Sequence, residues 1–207
     1  MDTDRIRKIV EYLNGKFNEK LNVSEPLSEQ AWQDHHLDMY ENSVLIGNTI
    51  YLRASRMTSE IAAEEMLHTF VYNMKHESGN PELFDKLFAK AKEQFPKLWQ
   101  EIQHTYQEDQ QSEELVTQVL ARYFNNKFDE KDKSSIKDLI DKFKEWIISL
   151  FKELPWFNEY LQKYEITIDN INPLSTFEDI ADILLAKDAY VLIKTIPDLY
   201  RRNAIQD

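Results

Sequence analysis

A predominantly helical α+β fold follows from three features of the 207-residue sequence. Apolar residues recur three and four apart over most of the chain, glycine occurs only three times, and β-favouring residues gather in one short stretch around a Gly-Asn pair. Taken in order, residues 4–21 put Ile6, Ile9, Val10, Leu13, Phe17 and Leu21 on one side of an amphipathic helix that begins near Asp4 and tolerates Gly15. The polar segment after Pro26, LSEQAWQDHHLDMYENS, carries no assignable element. Residues 43–52, SVLIGNTIYL, read as two short strands around Gly47-Asn48, a hairpin with suitable turn residues.

Residues 58–75, TSEIAAEEMLHTFVYNMK, form the next helix, closed by Gly79-Asn80-Pro81, and Pro81 suits the first turn of a helix over 82–94. Pro96 starts another, with Leu98, Trp99, Ile102 and Tyr106. QEDQQ, residues 107–111, is expected to be a polar connection, with helix resuming at Ser112 in SEELVTQVLARYF. The charged run NNKFDEKDK, 125–133, reads as a loop or the best candidate boundary. Beyond it Ile136, Leu139, Ile140, Phe143, Trp146, Ile147, Leu150 and Phe151 line a long helix ended by Pro155. YEITIDNINP is predicted as a short strand or extended linker, Thr176-Phe177-Glu178-Asp179 opens a helix through Ala186, and the last twenty residues are weakly patterned helix and tail. One compact domain is expected, with a core over residues 1–126 that includes the N-terminal helix. A helical C-terminal region over 127–207 packs on it without forming an independent domain.

A formal net charge of -12 disfavours nucleic acid and anionic lipid as partners, because phosphate binding needs a basic footprint. Without cysteine, any metal must be held by His and carboxylates. The start MDTDRIRKIVEYL is charged and amphipathic, and no run of about 18 apolar residues occurs, so the expectation is a soluble, cytoplasmic protein with no membrane partner.

The chemistry concentrates in the 58–75 helix. Glu64-Glu65-Met66-Leu67-His68 has the shape of the zinc-protease pentad H-E-x-x-H, with Glu at the first His position. At about 100° per residue, Ile61, Glu64, Glu65, His68 and Tyr72 share one sector, and Ala63, Leu67, Phe70 and Met74 oppose it. Ionisable groups gathered on a mostly buried helix call for a metal, a ligand or solvent. Positions i and i+4 project two ligands from one face, which here are Glu64 and His68, and Glu65 stands where a general base would polarise metal-bound water. The 112–124 helix is the natural source of a third ligand. Its apolar face is Leu115, Val116, Val119, Leu120 and Tyr123, and Glu114 lies beside Thr117 and Ala121, whose small side chains allow close approach. Glu113 lies nearer the apolar side.

Plainer readings stand beside these. Glu64 and His68 at i,i+4 make an ordinary surface ion pair, and Glu113 and Glu114 suit a helix N-terminus behind Ser112. His35 and His36 read as a solvated loop pair or an extra ligand, His76 as a partner of the helix C-terminus, and His104 as a partly exposed packing residue.

The segments AAEEMLHTFV and EELVTQVLARYF resemble glutamate-ligand zincin metallopeptidases, most of all the zincin-like metallopeptidase domain of large polyvalent proteins from phages and mobile elements. The resemblance covers roughly residues 40–186 through the order of Thr49-Ile50-Tyr51-Leu52, His68-Thr69-Phe70, Asn80-Pro81, Leu98-Trp99, Glu114, Trp146 and Thr176-Phe177-Glu178-Asp179-Ile180-Ala181. It implies a zincin-like fold with a small antiparallel sheet or hairpin beside the active helix. It also implies Zn²⁺ held by Glu64, His68 and Glu114, Glu65 as the catalytic base, and Thr49, Ile50, Tyr51 and Leu52 as a substrate-binding strand that aligns an extended peptide by strand addition. Here Glu64 departs from the family's His. A second alignment makes His68 the first His, with Thr69 in place of the catalytic Glu and Tyr72 in place of the second His, which is a dead site. The implied functions are a metallopeptidase acting on peptide or protein through a variant E-E-x-x-H site, or a catalytically inactive zincin-derived binding protein. A helical regulatory protein unrelated to zincins is the third reading.

Overall fold

Apolar residues three and four apart roll the N-terminal segment into α1 (Thr3–Phe17), which buries Ile6, Ile9, Val10, Leu13 and Phe17. The computed structural model describes residues 3–18, 20–37, 39, 41–76, 78–154 and 156–195, and the side chains of 59–64 and 189–195 also lie outside the description. Helix α1 stops four residues short of the expected end, at Asn18, whose φ of 54° is a left-handed conformation that Asn tolerates. Leu21 is still buried, because the Asn14 side chain brackets it: Leu21 N–H donates to Asn14 Oδ1 at 3.0 Å, and Asn14 Nδ2 donates to the Leu21 carbonyl at 2.8 Å.

The chain then forms a three-stranded sheet. Strands β2 (Ser43–Ile46) and β3 (Thr49–Leu52) make the antiparallel hairpin, turning at Gly47 with a φ of 61°. A two-residue strand, β1 (Asn22–Val23), pairs parallel to β3, giving the order β1-β3-β2. The sheet is therefore mixed, where an antiparallel sheet or hairpin was expected. Backbone bonds continue along the β1 side, from Ser24 N–H to the Ile50 carbonyl and from Leu27 N–H to the Leu52 carbonyl. Both edges of β3 are thus occupied, and an extended peptide cannot add to Thr49–Leu52; the edge strands of the sheet are β1 and β2. The unassigned polar segment contains α2 (Glu29–Asp34), whose first turn is capped by Ser28 accepting from Ala31 N–H and whose Trp32 is fully buried.

Helix α3 (Ser59–Lys75) follows the sheet, and its turn into α4 (Pro81–Gln94) needs glycine. A Cβ on Gly79 would stand 1.9 Å from the Asn73 carbonyl oxygen. Asn80 caps α4 by accepting from Leu83 N–H, with Pro81 in its first turn. Next come α5 (Pro96–Thr105) and α6 (Glu108–Phe124). Residues 108–111 belong to α6 rather than to a connection, since Glu108 and Asp109 favour the positive end of a helix. Asp129 caps α7 (Glu130–Phe151), which α8 (Phe157–Lys163) and α9 (Pro173–Thr195) follow. Residues 164–172 turn instead of extending. Glu165 has a φ of 51°, and the Asn170 side chain accepts from Thr167 N–H and donates to the Glu165 carbonyl. The predicted helix stop at Pro155 lies outside the described residues, and of the last twenty residues 188–195 belong to α9 while 196–207 lie outside the description.

One apolar core runs from Ile6 to Leu184 and takes in residues on both sides of position 127. Helix α3 packs against α1, α4, α6 and α9. Its Phe70 stacks on Phe177 of α9 with ring centroids 4.9 Å apart and planes 9° from parallel. The molecule is predominantly helical with a small sheet, and no helix among the described residues is long and apolar enough to cross a membrane.

Candidate metal centre

Helical spacing puts Glu65, His68 and Tyr72 of α3 on one stripe, with His76 just beyond its end, flanked by Thr69 and Asn73, and the apolar residues Met66, Leu67, Phe70, Val71 and Met74 complete the turn into the core. On α6, Glu114, Thr117, Gln118 and Ala121 share the side away from Leu115, Val116, Val119 and Leu120. Packing of α3 on α6 brings these stripes together. His68 Nδ1 lies 3.9 Å from Glu114 Oε2, with 34% of the His68 side chain and 15% of the Glu114 side chain exposed. The other Glu114 oxygen, Oε1, accepts a hydrogen bond from Gln118 Nε2 at 2.7 Å. Glu113 is engaged elsewhere, accepting from Lys75 Nζ at 2.9 Å.

Electrostatics mark the same spot. Burial works against a charged His68, but the carboxylates of Glu114, Glu65, Glu41 and Glu113 outweigh it and raise the imidazole above its ordinary pKa of 6.5. Tyr106, at the C-terminal end of α5, donates its hydroxyl to Glu41 Oε1 at 3.3 Å. Burial, then the charges of Glu114 and Glu41, push that phenol far up, so it stays a hydrogen-bond donor at any physiological pH. Sequence reasoning missed Glu41 and the use of Tyr106. Glu41 sits in the polar segment before β2, and its contact with Tyr106 spans 65 residues, so no local pattern announces it.

Of the residues expected at the site, His68 and Glu114 meet, and Glu65 contributes its charge. The Glu64 backbone belongs to α3, but its side chain lies outside the described residues. Among the described residues no three His, Asp or Glu side chains form a group able to hold a metal ion. The described pair does fit half of such a site. Two ligands about 2.1 Å from a tetrahedral cation stand about 3.4 Å apart, and imidazole nitrogen with carboxylate oxygen is a zinc donor set. At 3.9 Å the pair is within about half an ångström of that separation, and the Gln118 hydrogen bond holds the far oxygen as an outer partner of a ligand would.

In β3, Ile50 and Leu52 point into the core, while Thr49 and Tyr51 are half-buried. His35 packs on Tyr51 with centroids 5.5 Å apart. His76 lies against Tyr72 at 4.4 Å, and exposed His104 holds Nδ1 2.6 Å from the Gln100 carbonyl oxygen. Between the polar stripe and the core, Thr69 Oγ1, Asn73 Oδ1 and Thr117 Oγ1 are buried without a hydrogen-bond partner among the described residues. No protein-family model matches the chain, and neither does any curated protein or solved structure compared with it.

Proposed function

We propose that the face shared by α3 and α6 is a Zn²⁺ site formed by Glu64, His68 and Glu114, in a zincin-like protein of a phage or mobile element that hydrolyses peptide bonds. The observation that carries the reading is the approach of His68 to Glu114 across two helices, with Gln118 fixing the second carboxylate oxygen. When bound, the metal would act as a Lewis acid and acidify its water. Glu65, next to Glu64 on α3 and close enough for its charge to act on His68, is the carboxylate suited to take a proton from that water and pass it to the leaving amine. Tyr106, protonated and half-buried nearby, supplies a fixed donor. Substrate would meet Thr49 and Tyr51 through side chains, since the β3 backbone is already paired on both edges.

One observation favours a second reading, a zincin-derived protein that binds a peptide or protein without cleaving it. Four carboxylates act on His68, and so much negative charge opposes forming hydroxide on a bound cation. Metal analysis of the purified protein separates the readings. The proposal expects about one zinc per chain, lost in His68→Ala and in Glu114→Ala, with Glu65→Gln keeping zinc and abolishing peptide hydrolysis. Zinc in Glu64→His but none in the natural sequence would leave only the inactive reading. Zinc in neither would remove both.

A further inference from the structure

Arg53 follows β3 and is almost fully buried, at 5% exposure. Its guanidinium grips Glu29 of α2 with two bonds, Nε to Oε1 at 2.8 Å and Nη2 to Oε2 at 2.5 Å, and it lies over the Trp32 ring, 5.5 Å from the centroid. The remaining arm, Nη1, donates to the Met39 carbonyl at 2.7 Å and to the Glu41 carbonyl at 3.2 Å, and the Arg53 backbone N–H donates to the Asn42 carbonyl at 3.1 Å. One buried side chain thus fixes the backbone on which Glu41 rides. Glu41 then turns its carboxylate to the Tyr106 hydroxyl, beside the His68 and Glu114 pair.

We infer that Arg53 is a positioning residue for the α3/α6 site, acting through Glu41. A loop carbonyl can be satisfied by water, so holding two of them with a buried, carboxylate-paired guanidinium is more than the loop's own hydrogen bonding requires. What the arrangement adds is a set direction for the Glu41 side chain. A carboxylate fixed there adds attraction for a cation at His68 and keeps the Tyr106 hydroxyl aimed at Glu41. Lysine cannot replace this geometry, because a point charge does not span Glu29 and two carbonyls at once.

The zinc readout below rests on the cation-site reading, and the Tyr106 readout does not. In the metal-free 207-residue chain, the Tyr106 ring resonances are followed by NMR in wild type, Arg53→Lys, Glu29→Gln, Glu41→Gln and the Arg53→Lys/Glu41→Gln pair. Arg53→Lys and Glu29→Gln should move them in the direction that Glu41→Gln does, and the pair should add nothing to Glu41→Gln alone. Zinc titration of the same proteins, with His68→Ala as the control for the site, should show affinity falling about tenfold in Glu41→Gln and Arg53→Lys, again without addition in the pair. Unmoved Tyr106 resonances in folded Arg53→Lys or Glu29→Gln overturn the inference, whatever zinc does. Zinc bound equally by wild type and His68→Ala overturns the cation site alone, with Tyr106 still deciding the role of Arg53. A drop in melting temperature with neither readout changed reduces Arg53 to a structural residue.

Discussion

On one face of α3, Leu67, Phe70 and Met74 are fully buried, and Phe70 lies flat against Phe177; on the other, His68 stands among four carboxylates with a third of its side chain in solvent. The apolar face is held by burial, which is non-directional and roughly proportional to area, so it needs only residues of the right size at the right spacing. The polar face is held by particular atoms meeting particular atoms: Gln118 on Glu114, Lys75 on Glu113, Tyr106 on Glu41. Nothing in the packing of α3 demands that arrangement. Glu65 and His68 stand only partly buried, so burial does not account for their identities, and the function proposed above rests on this polar face.

The largest effect should come from breaking the apolar face. Phe70→Ala removes a fully buried ring that touches both Phe177 and Phe151, and should cost about 3–5 kcal/mol in chemical denaturation. His68→Ala, two residues away on the opposite face of the same helix, should cost far less and change zinc binding instead. A His68→Ala variant as destabilised as Phe70→Ala would mean that the polar face is structural after all.

Legibility in the sequence follows the same division. Helices α1, α3, α4, α5 and α7 and the hairpin were readable because their signals are local: apolar periodicity, Pro81 and Pro96 at first turns, and Gly47 at the turn. The approach of α6 to α3 was expected from the small side chains of Thr117 and Ala121 beside Glu114 and from the family resemblance, and the two helices do pack together. Strand β1 was not, because two residues paired in parallel with β3 across 27 positions carry no periodic signal. Glu41 and Arg53 were missed for a related reason, since their value lies in contacts made across the fold. The QEDQQ run misled in the opposite sense, its polarity reading as a loop although acidic residues are what a helix start favours.

A smaller effect should appear in acid. Two bonds from Arg53, then the Ser55 hydroxyl, hold the Glu29 carboxyl at about 2, well below its ordinary 4.5. A carboxyl depressed in the folded state contributes stability that is present above pH 4.5 and is lost as the pH falls toward 2. Denaturation midpoints between those pH values should therefore decline less steeply in Glu29→Gln than in wild type. The Tyr106 resonances should shift over the same range before the Phe70 and Phe177 resonances do, since acid releases the loop that carries Glu41 but leaves apolar burial untouched. Simultaneous loss of both would show that the two faces of α3 unfold as one unit.

The smallest effect tests the border between the faces. Thr117 is on α6 beside Glu114, buried, with Oγ1 unpartnered among the described residues. A buried hydroxyl without a hydrogen bond has lost its water without gaining a partner, so exchanging it for a methyl group of nearly the same shape removes a cost. Thr117→Val should accordingly stabilise the metal-free protein by up to about 1 kcal/mol in chemical denaturation and leave zinc affinity unchanged. If Thr117→Val instead destabilises the protein or weakens zinc binding, the hydroxyl is engaged. The polar face would then extend through Thr117 into the seam that also holds Thr69 and Asn73, and the boundary drawn on α3 would move inward by one row of side chains.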